Sequence, residues 1–381
     1  MNNDNRIGIL SLPPSFNYGG ILQVFALQFF LREKGVNSII IDRRFPRKIT
    51  LIQTLIELKK IIFLCIPTLR EKYSYDKRKR EHFNSKYKHF INFINTKLNI
   101  SQPIYSTKRL KQFIYDNDIN TIIVGSDQVW RPQCSPNISD YFLKFIESND
   151  TIKKISYAAS FGTDNIEFNE NEISEISKLL KKFNFVSLRE ISGVRNCKSV
   201  YGVNAQISLD PTFLLSTADY NKLINKTIDK HIDGNGGVVT YILDTSQEND
   251  MIISSLLSKI GYSNKNDLLS TENGVFISIE KWLSKIKNAQ FVITDSFHGC
   301  VFSIIFNKPF VAIGNHSRGI TRFNSLLSQF GLEDKLIVDK NIINYDYLLS
   351  PIDWNKVNTI LEVKKKSSID FLLSSLYDKS I

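Results

Sequence analysis

Phe291-Val292-Ile293-Thr294 is a run of four apolar or β-branched residues that stops at Asp295-Ser296-Phe297-His298-Gly299, before a second apolar run from Val301 to Phe306. A run of that length, closed by polar residues and glycine, is a buried strand, and the run after it has the pattern of a helix. A strand buried on both faces and followed by a helix belongs to a parallel sheet covered by helices. Polar groups at the carboxyl end of such a strand lie where open α/β sheets hold ligands. The unpaired N–H groups and dipole of the next helix favour an anion there. Asp295 or Ser296 would be the N-cap, with His298 in the first turn facing the crevice; alternatively, both only cap and His298 is a packed core histidine.

The same unit recurs along the chain. Arg6 to Leu12 reads as a strand, Pro13 to Gly20 as a turn-rich loop, Ile21 to Lys34 as a helix closed by Gly35, and Ser38 to Ile41 as a second strand. The Gly19-Gly20 pair falls short of a dinucleotide fingerprint. Thr121 to Val124 is a strand closing on Gly125-Ser126-Asp127-Gln128-Val129-Trp130. Lys154 to Ala159 is another, turning at Ser160-Phe161-Gly162, and Phe185 to Leu188 delivers Arg189-Glu190. After Leu209-Asp210-Pro211-Thr212, where Asp210 would fix the connection before Pro211, Val238 to Leu243 starts a second alternation. It passes through the Asp295–Gly299 stretch to a strand at Phe310 to Ile313 and a helix at Thr321 to Phe330. The architecture expected is α/β, with two Rossmann-like domains facing a cleft. The boundaries are residues 1–205 with a helical basic insertion at about 48–112, then 206–350, and a C-terminal helix in 351–381 that packs back on the first domain.

The 381 residues suit two domains, and 42% hydrophobic residues suit a folded globular chain. The formal charge is 49 − 38 = +11, concentrated between Lys59 and Lys111, where 14 Lys or Arg residues face only Glu71, Asp76 and Glu81. Two readings fit that block. An amphipathic helix over Thr50 to Leu64 and a cationic one over Arg70 to Leu98 would lie on an anionic membrane, or they pack as an insertion in the N-terminal domain; the second is favoured. The most hydrophobic window, Ile49 to Ile66, is interrupted by Glu57, Lys59 and Lys60 and is not expected to span a bilayer. The polar N-terminus lacks the core of a signal peptide, and four scattered cysteines form no disulfide framework. A cytoplasmic location is expected, with peripheral contact at the inner face of the membrane as an extension.

Five histidines without ligand spacing argue against a metal site. There is no G-x-S-x-G elbow, no Walker loop and no set of kinase motifs. What the second half offers is His298 at one helix start and Arg318 and Arg322 at the next: two helix N-termini and two guanidiniums suited to a phosphate or carboxylate. An imidazole there can give or take a proton near neutral pH. Arg189, at a strand end of the first half, would face the same cleft.

Together these stretches resemble the polysaccharide pyruvyl transferase family. The resemblance is carried by Asn17-Tyr18-Gly19-Gly20-Ile21-Leu22-Gln23 with Ala26-Leu27, Gly125 to Trp130, Ser156 to Gly162, Ser187-Leu188-Arg189-Glu190, Leu209-Asp210-Pro211-Thr212, Thr294 to Gly299, and Arg322-Phe323 with Leu326-Leu327. It implies a GT-B-like transferase that moves the carboxyvinyl unit of phosphoenolpyruvate onto a sugar, forming a pyruvate ketal. Phosphoenolpyruvate would be the donor substrate, with no cofactor, no metal and no nucleic acid. A sugar, lipid-linked glycan or surface polysaccharide would be the acceptor. His298 and Arg189 are then the candidate catalytic pair, and Ser296, Gly299, Arg318 and Arg322 the donor side. Asn17, Gly19, Gly20, Asp127, Gln128 and Trp130 form the acceptor side, with Trp130 stacking on a sugar face. Glu190, Asp210 and Asp295 support them. Some members place Arg-Leu where this chain has Ser296-Phe297, so Arg318 or Arg322 is expected to supply the missing cation. A nucleotide-sugar glycosyltransferase and a non-catalytic basic peripheral protein are the competing classes.

Overall fold

The computed structural model describes residues 6–14, 16–46, 78–79, 81–147, 150–225, 236–314 and 319–378. The first half runs β1 (Ile7–Leu10), α1 (Tyr18–Glu33), β2 (Ser38–Ile40), α2 (Lys88–Lys97), α3 (Thr107–Asp116), β3 (Thr121–Val124), α4 (Ile138–Tyr141), β4 (Lys153–Ala159), α5 (Glu170–Leu180), β5 (Phe185–Leu188), α6 (Ile191–Ser199) and β6 (Gln206–Ile207). Its sheet has the order β2-β1-β3-β4-β5-β6, with every pairing parallel. All residues of β1 and β3 are buried, as a sheet covered on both faces requires.

A 3₁₀ turn (Pro211–Leu214) and α7 (Thr217–Asn225) lead to the second half. There follow β7 (Val238–Tyr241), α8 (Gln247–Lys259), β8 (Lys265–Asp267), the hairpin β9 (Thr271–Glu272) and β10 (Val275–Phe276), and α9 (Ile279–Asn288). Then come β11 (Phe291–Thr294), α10 (Phe297–Ile305), β12 (Phe310–Ile313), α11 (Ile320–Phe330), β13 (Leu336–Ile337), α12 (Tyr345–Leu348) and α13 (Trp354–Tyr377). The second sheet, also parallel throughout, has the order β13-β12-β11-β7-β8.

Each order reverses direction once, between β1 and β3 in the first sheet and between β7 and β11 in the second. Such reversals leave a crevice at the carboxyl ends of the two strands. The loops after β1 and β3 carry Asn17 and Asp127, and the first turn of α10, just after β11, carries His298. The two crevices open towards each other, because Gly19 of α1 lies against His298 of α10 and Gly319, just before α11, lies against Gly162.

The halves share one apolar core that runs from β1 and α1 through to β7, α9 and α10. Tyr18 stacks on Trp282 at 5.2 Å and 9°, and its hydroxyl donates to the Ile277 carbonyl at 2.9 Å. The chain also returns after the second sheet. Lys153 Nζ donates to the carbonyls of Ser375, Leu376 and Asp378 at the end of α13, and the Leu209 amide donates to Ser368 Oγ at 3.0 Å.

One helix start differs from the sequence pattern. α1 begins at Tyr18 instead of Ile21, because Asn17 caps it by accepting from the Gly20 amide at 3.1 Å. The glycine pair is therefore in the first helical turn and not in a loop. α10 begins at Phe297 after Ser296, with His298 in its first turn as expected. Of the basic insertion, the helix expected over 50–64 lies outside the described residues, and α2 covers the end of the segment expected to follow it.

Candidate active site

Four side chains and a backbone amide converge on Asp210. Its Oδ1 accepts from the Thr212 amide at 3.0 Å and the Thr212 hydroxyl at 2.7 Å, which caps the 3₁₀ turn after it. Its Oδ2 accepts from Arg189 Nη1 at 2.9 Å and Ser126 Oγ at 3.4 Å, and His298 Nε2 lies 3.7 Å away. The side chain has no exposed surface. Burial on its own would raise the Asp210 pKa. His298, Arg189 and the Thr212 amide outweigh it and hold the carboxylate well below the usual range. The residue expected only to fix the chain before Pro211 is where the two catalytic candidates meet.

Arg189 stands at the end of β5 and is 3% exposed. Its Nε donates to Glu190 Oε1 at 3.3 Å, and Nη2 lies 3.7 Å from Asp127 Oδ1 with no hydrogen-bond partner among the described residues. Burial alone would lower the Arg189 pKa, and Glu190, Asp210 and Asp127 more than reverse this, so the guanidinium stays charged. Glu190 accepts from Ser160 Oγ at 2.6 Å; burial raises its pKa against the opposing pull of Arg189. Of the three carboxylates, Asp127 is the loosest partner and the most open, at 21% exposure. Nη2 is therefore the one guanidinium nitrogen of Arg189 left without a hydrogen bond among the described residues.

Phe297 is the floor of this cluster. The Arg189 guanidinium lies 4.4 Å from its ring centre and that of Arg322 lies at 5.9 Å, both within cation–π reach. Arg322, in the first turn of α11, is buried, and desolvation followed by the nearby Arg189 pushes its pKa down to about 10, still cationic at neutral pH. A small cavity of about 10 Å³ lies beside these groups, lined by Arg189, Ser208, Asp210, Phe297, Leu326 and Gln329 among others. Ser208 Oγ is buried there without a hydrogen-bond partner among the described residues.

His298 is 7% exposed and stands edge-on to Phe297. A Cβ on Gly19 would lie 2.1 Å from its Nδ1, so only glycine lets α1 approach so closely. Gly299 has a parallel role, since a Cβ there would lie 2.2 Å from Thr294 Oγ1. That hydroxyl accepts from the Ser296 amide at 3.0 Å and donates to the Tyr241 carbonyl at 2.7 Å. Asp295 does not cap α10. Its carboxylate accepts from the Leu243 and Asp244 amides at 2.6 and 2.9 Å and ties the end of β11 to the loop after β7. Ser296 is the N-cap by position, with no side-chain bond to the helix.

One acceptor-side expectation needs correcting. Trp130 is fully buried, stacked on Phe142 at 5.3 Å, with its Nε1 donating to the Tyr141 carbonyl at 3.0 Å. Its ring has no face for a sugar, because an indole at this strand end completes the core. Asn17 spends its oxygen on the α1 cap, and Gly19 contacts His298. Gln128 accepts from Arg131 Nη1 at 3.1 Å, and Arg131 also binds Glu167. Asp127 remains at the rim. Arg318 lies outside the described residues. No group of three or more His, Cys, Asp or Glu suited to a metal occurs among the described residues. Also among them, no helix is long and apolar enough to cross a membrane. Phe297 and Ser126 went unassigned from sequence; the Ser296-Phe297 departure marked the first, and nothing in the sequence marked the second.

Comparison with known proteins now bears on this cluster. The family profile described as polysaccharide pyruvyl transferase matches residues 17–317, from the α1 cap through the His298 and Gly314 ends of the second sheet. The chain belongs to the polysaccharide pyruvyl transferase family. Arg189, Asp210 and His298 all fall within the matched region. Among solved structures, the chain is similar to a putative UDP-N-acetylglucosamine 2-epimerase from Listeria monocytogenes, with a TM-score of 0.51 and 8% identity over 100% of this chain and 98% of that one. It is also similar to UDP-N-acetylglucosamine 2-epimerase from Rickettsia bellii, with a TM-score of 0.50 and 9% identity over 97% and 96%. At such identities the likeness concerns the fold, which is GT-B-like. None of the curated proteins compared matches the chain.

Proposed function

We propose that this pyruvyl transferase family member moves the carboxyvinyl unit of phosphoenolpyruvate onto two hydroxyls of a sugar in a surface polysaccharide or its precursor, closing a pyruvate ketal. The observation that carries the reading is the meeting of Arg189 from the first sheet and His298 from the second on Asp210, within a family whose description names pyruvyl transfer. The donor carries a carboxylate and a phosphate and needs two cationic subsites. The open Nη2 edge of Arg189 suits one, and Arg322, on the same Phe297 ring, suits the other in place of the arginine that Ser296 lacks.

In this reading His298 acts as the imidazolium: it gives its Nδ1 proton to the methylene carbon and is left as the neutral ring with the proton on Nε2, leaving an oxocarbenium-like centre at the carbon that bears the phosphate. A sugar hydroxyl attacks that carbon and loses its proton. The bond to the phosphate oxygen then breaks, and a second hydroxyl closes the ring, so one inorganic phosphate is released per ketal. The Nε2 edge of His298 is aimed at Asp210, which leaves Nδ1, against the first turn of α1, as the edge facing substrate. Asp127, at the rim, is placed to accept from an acceptor hydroxyl.

Replacing His298 with Ala is expected to abolish phosphate release from phosphoenolpyruvate with a glycoside acceptor while the circular dichroism spectrum and melting stay close to the parent. Near-normal turnover removes His298 from the chemistry. Arg189→Lys is expected to lose a factor of about 100 or more in kcat/KM, since a point charge does not reproduce the bidentate fork and the anion contact is worth several kcal/mol.

A further inference from the structure

We infer that Asp210 is a positioning residue that fixes the tautomer of His298 and the orientation of Arg189 through one carboxylate oxygen. The two oxygens have separate tasks. Oδ1 is taken by the amide and hydroxyl of Thr212, which anchors the carboxylate to the backbone just ahead of Pro211. Oδ2 is then held in place and faces Arg189 Nη1 at 2.9 Å, Ser126 Oγ at 3.4 Å and His298 Nε2 at 3.7 Å. The charged or titratable side chains around it are few. Arg189 and His298 are the cations or potential cations. The Tyr157 and Tyr220 phenols lie nearby, donating to the Leu209 and Thr212 carbonyls at 3.3 and 2.8 Å. Asp127 and Glu190 contact the Nη2 and Nε sides of Arg189, away from Nη1.

An ionised carboxylate only accepts hydrogen bonds, so the imidazole nitrogen facing it carries the proton. A hydrogen-bond partner on one ring nitrogen decides the state of the other, which makes Nδ1 the bare nitrogen of the neutral ring. The 3.7 Å separation is longer than a hydrogen bond, and catalytic contacts of this kind shorten when substrate closes the site. A second constraint fixes the ring: Phe297 stands perpendicular to it at 5.3 Å, and Gly19 closes its Nδ1 side. One buried carboxylate thus couples the proton-handling residue of one sheet to the anion-binding residue of the other.

Asp210→Asn separates the two tasks. The carboxamide oxygen still accepts from Thr212, whereas the new N–H₂ faces the N–H donors of Arg189 and His298. With histidine labelled by ¹⁵N, the ring signals of His298 are assigned by their absence in His298→Gln; the chain holds only five histidines. At a pH where the ring is neutral, the parent protein is expected to show the proton on Nε2, and Asp210→Asn to shift the population towards Nδ1. Turnover with phosphoenolpyruvate is expected to fall on the order of a hundredfold or more in kcat, with a smaller change in KM. Thr212→Val, which disturbs only the Oδ1 side, is expected to keep the parental tautomer.

A parent protein with the proton on Nδ1 overturns the inference without any variant, as does an Asp210→Asn protein that keeps the parental tautomer. The kcat arm rests on the pyruvyl-transfer reading and the tautomer arm does not. Absence of turnover in the parent therefore counts against the reading alone.

Discussion

At the scale of single residues, Gly19 and Asp210 lead to predictions with opposite mechanisms. Gly19 is inside a helix, where alanine is ordinarily more stable by about 1 kcal/mol. Here the added Cβ would lie 2.1 Å from His298 Nδ1, and overpacking of that kind costs about 1–3 kcal/mol. The clash wins or cancels the gain, so Gly19→Ala is expected to melt no higher than the parent. Displacing the imidazole is also expected to lower kcat by about tenfold or more, because small misplacements of a catalytic group are expensive. A higher melting temperature with full activity would contradict the contact.

Asp210 acts through acid stability. Its folded pKa lies below the ordinary carboxylate range, so its contribution is fully present above about pH 4 and is lost as the pH falls from there towards the depressed value. A melting series is expected to show a shallower acid limb in Asp210→Asn than in the parent, and an identical limb would contradict it. Sequence reading reached Arg189 and His298 because each ends a short apolar run with a charged or titratable group. It undervalued Asp210, since an Asp before Pro reads as a turn and three of its four side-chain partners lie 21, 84 and 88 positions away. It misread Trp130 for a related reason: an aromatic at a strand end serves a sugar or the core equally well until Phe142 is seen stacked on it.

At the scale of elements, two tethers hold the site in place. Asp295 joins the end of β11 to the loop after β7 through two amide bonds. Asp295→Ala leaves two amides without their acceptor and is expected to cost about 2–4 kcal/mol, read as a lower midpoint in denaturant. Ser368 of α13 accepts from the Leu209 amide, one residue before Asp210. Ser368→Ala is expected to cost about 1–3 kcal/mol and to lower turnover together with stability, because the Asp210 backbone loses its neighbour's anchor. Loss of stability with unchanged kcat would show that α13 supports the fold and not the site.

The strands were the most legible elements, since fully buried parallel strands are continuous apolar runs. The start of α1 was less so. Asn17 is a good cap residue, but the glycines after it look like loop until the packing partner of Gly19, His298, is known.

At the scale of the whole molecule, the site exists only where the two halves touch. Gly319 has φ of 83°, and a Cβ on it would lie 2.1 Å from the Gly162 carbonyl oxygen in the opposite half. Thr321 Oγ1 donates to Asp164 Oδ2 at 2.7 Å in the same region, and the Ile191 amide donates to Ser325 Oγ at 3.1 Å. The two-sheet architecture was legible from the alternation of runs. The cleft between the halves was expected too, but the contacts that set it were not legible, because glycine–backbone contacts and single hydroxyl bonds leave no periodic trace.

The central claim is that the Arg189–Asp210–His298 cluster serves pyruvyl transfer, and incubation of the purified chain with phosphoenolpyruvate and a panel of glycosides tests it most directly. With an accepting sugar, inorganic phosphate is expected in equal amount to a product heavier by one ketal-linked pyruvate, and His298→Ala is expected to release neither. Tight binding of a uridine or guanosine diphosphate, with no phosphate released from phosphoenolpyruvate by any acceptor, would contradict the claim and leave a GT-B-like fold with a different donor.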